Sequence, residues 1–145
     1  MNKIKIILNL WQWACLVDFL RHILESVEEL PFPAEYKGVE RTMESIVRKY
    51  LVAYDIGLKD GTFSAVTRGP ANLLDKGIFE KEFEKTLTID IEISSTTQFR
   101  IEGYFGGVIK ALKKNPSPDL HDVQFEQAVR ESLQSILDQI NSKTQ

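Results

Sequence analysis

The amino-acid sequence predicts an α+β fold: an N-terminal helical hairpin packed on a small antiparallel β-sheet of three or four strands, with a long C-terminal amphipathic helix. Three observations predict it. Two segments near the N-terminus, 10–30 and 37–55, have the apolar spacing of helices. Residues 83–94 alternate strictly between apolar and polar side chains, and residues 118–141 return to helical spacing.

The composition is that of a globular protein with a single core. The chain has 145 residues, of which 43% are hydrophobic and 27% charged, and its net charge is −3. We therefore expect one α+β domain over residues 1–141 and a frayed tail over residues 142–145. The only basic cluster, Lys110, Lys113 and Lys114, is too small to follow a nucleic-acid backbone, so no nucleic-acid partner is expected.

The cysteine content and the apolar N-terminal stretch bear on localisation. A single cysteine, Cys15, rules out an internal disulfide bond and fits a reducing compartment, so a cytoplasmic protein is expected. The uncharged stretch from Ile6 to Val17 is about half of the roughly 20 residues that span a bilayer. Asn9 and Gln12 interrupt it. A membrane partner is therefore not expected.

The beginning of the first helix allows two interpretations. Residues 3–8 alternate like a strand, and Asn9 followed by Gln12 resembles a capping box. A short strand at 3–8 followed by a helix from residue 10 is therefore one interpretation, and a helix that starts earlier is the other. The helix is predicted to continue through Leu30, where Pro31 and the proline two residues later impose an extended connection.

The first helix is apolar on two sides over its first half. Leu8, Trp11, Cys15 and Phe19 form a second apolar strip beside the main apolar face. A helix that is apolar all round is normally covered all round, and a buried tryptophan is often central to a protein interface. These four residues are therefore the candidate interface. Packing against the chain's own sheet or its Pro31–Pro33 segment is the alternative.

The second helix, predicted over 37–55, has its apolar residues on one side and its charged residues on the other. The short, proline-containing link before it favours an antiparallel hairpin of the first two helices. A turn over 57–61, a short strand over 62–67 and one helical turn over 71–76 are predicted to follow.

The clearest strand is the alternating segment 83–94, whose pattern predicts one buried and one solvated face. After a turn, residues 99–105 are predicted to pair with it as a hairpin. The polar face of this hairpin would carry Asp90, Glu92 and Glu102, which could select a basic partner.

The segment after the hairpin is less defined. Gly103, Gly106 and Gly107 are interpreted as a tight exit from the strand. Residues 108–114 are compatible with a helix or a strand. The last helix is predicted over 118–141, with Ser117 as its N-cap and Pro118 at its first position.

No residue pattern indicates catalysis, a metal or a cofactor. The glycines at 103–107 lack the spacing of a dinucleotide or P-loop motif. His22 and His121 do not begin a recognised ligand pair, and a Gly-x-Ser-x-Gly motif is absent from the sequence. The sequence therefore favours a protein that is not an enzyme and holds no cofactor.

Two functions are compatible with these features. The first is a small non-catalytic protein–protein interaction module (an adaptor, regulator, inhibitor or immunity-type protein, or chaperone) whose apolar strip on the first helix meets a protein partner or another copy of the chain. The second is a small-molecule-binding protein or minor enzyme. The element order resembles the cone-shaped fold of nuclear transport factor 2, and this resemblance implies an apolar cavity, here lined by Tyr50, Tyr54, Phe63, Phe99 and Tyr104.

Overall fold

The computed structural model describes residues 1–29, 31–64, 80–114 and 120–144. These residues form a mostly helical fold with one antiparallel sheet of two strands. Short 3₁₀ turns lie at Ser26–Glu28 and Ala34–Tyr36. The helices and strands, in chain order, are β1 (Asn2–Asn9), α1 (Leu10–Glu25), α2 (Lys37–Lys59), α3 (Glu80–Phe83), β2 (Thr86–Ile93), α4 (Ser95–Lys114) and α5 (Leu120–Thr144).

β1 and β2 pair along their whole length although they lie far apart in the chain. Ile4 stands opposite Ile91 and Ile6 opposite Ile89, and all four side chains are buried. The alternating pattern of β2 therefore has the predicted consequence, one buried face and one solvated face. The predicted mixture of helices with a small antiparallel sheet is confirmed, but the described residues contain two strands rather than three or four.

The predicted hairpin partner of β2 is wrong. Residues 99–105 lie inside α4, and residues 108–114, which the sequence left open, belong to the same helix. Ile101, Phe105 and Ile109 are the buried residues of α4, and their spacing of four is that of a helix face. The partner of β2 is instead β1, because the isoleucines of the two strands share one buried face.

The strand interpretation of residues 3–8 is confirmed, and so is the capping box. The Asn9 side chain accepts a hydrogen bond from the Gln12 backbone N–H at 2.8 Å, and the Asn9 N–H donates to Gln12 Oε1 at 3.2 Å. These two bonds satisfy backbone groups that a helix start leaves free. The helix α1 ends earlier than predicted, at Glu25 rather than Leu30.

Several smaller predictions concern residues at or beyond the ends of the described ranges. Residues 62–64 are not in a strand, whereas residues 65–67, the helical turn at 71–76, and the Ser117–Pro118 helix start lie outside the described residues. The tail predicted to fray is helical as far as Thr144, because α5 continues to that residue.

The free edge of β1 is covered by a side chain from α5, which packs on α1 and α4 and lies beside β1. The Ile7 backbone N–H donates to Gln139 Oε1 at 2.8 Å, and Gln139 Nε2 donates to the Ile7 carbonyl at 3.0 Å. The carboxamide of Gln139 thus makes the pair of hydrogen bonds that a residue of a third strand would make. Such cover protects an edge from pairing with other chains.

We expect Gln139→Leu to lower the free energy of unfolding by about 1 kcal/mol, because two hydrogen bonds to the backbone are lost. The Ile7 amide should exchange its hydrogen faster, as followed by NMR. Gln134→Leu is the matched control, since Gln134 lies on the same helix and bonds only within it, to Asp138. Unchanged protection of Ile7 in Gln139→Leu would contradict the proposed edge contact.

Candidate functional site

The apolar strip proposed as an interface lies in the protein's own core. Leu8, Trp11 and Cys15 are buried, with Trp11 only 8% exposed, and Phe19 is half-buried against the core. The Trp11 ring meets Phe83 of α3 edge to face, with 5.6 Å between centroids. Three of the four residues are therefore covered within the fold, and the contact shown for Trp11 is with α3 rather than with the sheet or the Pro31–Pro33 segment.

The residues proposed to line a cavity are separated in the structure. Tyr50, Tyr54 and Phe63 are stacked in a row that begins at Trp13, with ring centroids 5.3–5.9 Å apart. These rings fill one another's space, so they do not enclose a ligand cavity. Gly57 allows the row to close, because a Cβ there would collide with the Phe63 ring.

Phe99 and Tyr104, the other two residues of the proposed cavity, lie on α4. They are remote in the chain from the stacked rings, and they line separate grooves: Phe99 lies with Met1 and Lys3, and Tyr104 lies with Phe32. The two-stranded sheet does not form the curved wall that the resemblance to nuclear transport factor 2 implied. The cone-shaped architecture is therefore not found in the described residues.

The polar face of the sheet carries both positive and negative side chains. Lys3 stands opposite Glu92, with Nζ 3.9 Å from the carboxylate, and Lys5 stands opposite Asp90. Lys49 of α2 also donates to the Asp90 carbonyl. Cross-strand pairs of opposite charge stabilise a sheet modestly. The expected acidic surface for a basic partner is therefore absent from this described face, and Glu102 lies on α4 rather than on the sheet.

The outer side of α4 is open among the described residues. We call it the glycine face: Phe99, Gly103, Gly107 and Ala111, spaced four residues apart and all exposed. Phe99 is 73% exposed, the most of any phenylalanine in the described residues. Gly106 lies beside this stripe. Spacing by four residues keeps the members within one broad side of the helix.

Glycine leaves the backbone of α4 bare along this face. A Cβ built on Gly103, Gly106 or Gly107 would meet no atom within 4 Å among the described residues. Each glycine in a helix interior costs about 1 kcal/mol relative to alanine. Packing within the described fold therefore gives no reason for glycine at these positions. What glycine does allow is close approach of another backbone.

The connection between α1 and α2 forms a wall beside the glycine face. Phe32 packs against Tyr104 with 5.5 Å between ring centroids, and the Arg100 guanidinium lies 5.4 Å from the centre of the Tyr36 ring. Gly38, at the start of α2, approaches so closely that a Cβ would lie 2.6 Å from Thr97 Oγ1. The two prolines that fix this connection thus also shape a surface next to α4.

Wall and helix enclose an apolar groove of about 480 Å³. Tyr104, Tyr36 and Phe32 are half-buried there, so their rings are partly available. Burial raises the pKa of the Tyr104 hydroxyl above its usual value. The groove is lined by Phe32, Pro33, Tyr36, Gly103, Tyr104, Gly107, Val108 and Ala111.

The lining of the groove suits binding rather than reaction. It contains neither a carboxylate nor a histidine or cysteine, and the described residues nowhere bring together three groups that could hold a metal ion. Apolar side chains with a few aromatic rings are typical of surfaces that bury another molecule. The sequence did not identify this groove, because the glycines were interpreted as the end of a strand.

Comparisons with protein families, curated proteins and solved structures find no match to this chain. Among the described helices, none combines the length and the apolar character that crossing a membrane requires. The functional argument therefore rests on the geometry of the groove and of the glycine face.

We expect Gly103→Ala and Gly107→Ala each to raise the free energy of unfolding by about 1 kcal/mol, because alanine favours the helix and its methyl group meets open space. Gly57→Ala is the matched control and should destabilise, since its methyl group collides with Phe63. Urea unfolding measures all three. A loss of stability in the α4 variants would show that the glycine face is already covered.

The pKa of Tyr50 is raised, first by burial and second by the neighbouring Tyr54. The folded protein therefore keeps this proton at a pH where the unfolded chain, with a tyrosine pKa near 10, releases it. Stability is fully present below about pH 10 and falls as pH rises above it, by up to about 1.4 kcal/mol per unit for this group. Urea unfolding from pH 8 to 11 should show a shallower fall for Tyr50→Phe, and identical slopes would contradict this assignment.

Proposed function

We propose that this chain is a small non-catalytic protein–protein interaction module of the adaptor, regulator, inhibitor or chaperone kind, and that it docks a helix of its partner on the glycine face. One observation carries the proposal: three glycines expose the backbone of α4 next to an apolar groove. The docking surface differs from the one predicted on α1, because that strip is buried in the core.

The geometry favours a helix as the docked element. Helices normally pack with their axes 8–10 Å apart, and small residues at the crossing point allow the shorter distances. From Phe99 to Ala111 the glycine face extends about 18 Å along the helix axis, which is more than three helical turns. A helix also brings its own backbone hydrogen bonds, whereas an extended peptide would need a strand edge to satisfy its backbone.

A bound small molecule is the second candidate function, and the groove volume favours it. About 480 Å³ lies within the range of known ligand pockets. Such a ligand would use the Phe32, Tyr36 and Tyr104 side of the groove. It would give no role to Phe99 at the far end of the glycine face, and this difference separates the two candidates.

A photo-reactive benzoylphenylalanine placed at Phe99 tests the proposal in cells that produce the chain. We expect a protein adduct of discrete mass, because Phe99 would lie at the docked helix. Gly107→Leu in the same chain should reduce the adduct at least fivefold, since the branched side chain holds the partner backbone away. The matched control is the same probe at Ile56, which is 58% exposed on α2, and it should give no such adduct.

Two results would overturn the interaction proposal. The first has two parts: no protein adduct forms at position 99, and an apolar fluorescent dye binds saturably unless Tyr104→Ala is introduced. This is the result expected for a small-molecule site. The second is an adduct whose yield does not change with Gly107→Leu.

A further inference from the structure

The helix that carries the glycine face is positively charged, although the chain as a whole has a net charge of −3. Lys110, Lys113 and Lys114 are exposed on α4, and Arg100 lies beside the groove wall. The only acidic residue of the 20-residue helix is Glu102. With four cationic side chains and one acidic side chain, this helix has a positive net charge in a protein whose net charge is negative.

Apart from the contact of Arg100 with the Tyr36 ring, the described fold makes little use of these charges. None of the four cations forms an ion pair with another described residue, whereas Lys3, Lys37 and Lys85 do. The Nε of Arg100 also has no hydrogen-bond partner among the described atoms. Lys113 and Lys114 suit the C-terminal end of a helix dipole, but Lys110 and Arg100 lie outside the last turn.

The position of the charges relative to the apolar groove determines what they can contact. On a helical wheel at about 100° per residue, Lys110 and Lys114 project near Gly103, Lys113 projects to one flank, and Arg100 projects to the groove side. A molecule in the groove therefore has the apolar wall on one side and the cations of α4 on the other. An apolar surface with complementary charge beside it is a common arrangement of a specific interface.

Resting on the proposed function, we infer that the docked partner is an acidic amphipathic helix. Its inner side carries small and apolar residues that fit against Gly103 and Gly107, and Asp or Glu residues along its flanks meet Lys110, Lys113 and Arg100. The wall formed by Phe32 and Tyr36 makes the surface concave. A concave groove along a helix fits a rod, whereas a flat anionic membrane would leave it unfilled.

The probe for this inference is a library of helical peptides selected against the purified full-length chain. The inner side is fixed as alanine and leucine, and the flanks vary equally among Glu, Gln and Lys. We expect Glu to exceed Lys at least fivefold at the flanks of selected peptides. Bound peptides should shift the backbone amide signals of Gly103, Gly106 and Gly107 in NMR spectra.

Charge reversal on the protein provides the matched test. Lys110→Glu with Lys113→Glu should weaken a selected peptide at least tenfold at low salt and less at high salt, because exposed charges are screened. Lys59→Glu with Lys81→Glu makes the same change in net charge at exposed sites on α2 and α3, and should alter affinity less than twofold.

The outcomes separate this inference from the function on which it rests. Peptides that shift the three glycines but carry Lys and Glu equally overturn the acidic partner and leave helix docking supported. Peptides that shift no residue of α4 overturn both. Sedimentation of the chain with vesicles of 30% phosphatidylserine, lost on the double charge reversal, assigns the face to membranes and overturns the acidic helix.

Discussion

The antiparallel pairing of β1 with β2 is the interaction on which the rest of the structure depends. It joins the first residues of the chain to residues in its second half, and its buried isoleucines form the floor of the core. A sheet of two strands has two free edges, and isolated strand pairs are marginally stable in water. The helices therefore complete it: Gln139 covers β1, and the Trp13 indole donates to the Leu87 carbonyl of β2 at 2.8 Å.

The sequence predicted individual elements better than their partners. The alternation in 83–94 and the Asn9–Gln12 capping box are local patterns. The capping box is confirmed, and the strand is confirmed over 86–93, whereas Phe83 lies in α3. Pairing depends on which buried faces meet, and alternation alone says nothing about that. Residues 99–105 are predicted as a strand because Phe99, Ile101 and Phe105 follow a turn at odd positions, although Ile101, Phe105 and Ile109 have helical spacing.

The candidate site was missed for a related reason. The apolar strip around Trp11 predicted an interface because a helix that is apolar on two sides needs to be covered. Periodicity, however, cannot say whether the covering residues come from the same chain. Here α3 and α5 provide it. On α4 the informative signal was the opposite one, the lack of side chains at Gly103 and Gly107. It acquires meaning only when the segment is known to be helical and its outer side is seen to meet no other described residue.

The Gln139 contact has a consequence for how the chain acquires its structure during synthesis. β1 has neither of its neighbours until residues 86–93 and then residue 139 have left the ribosome. Contacts between distant parts of a chain form slowly, because a long loop must close before they stabilise anything. Its isoleucines therefore lack their strand partners while the intervening residues are made, and a molecular chaperone that holds nascent chains would have a natural target in β1.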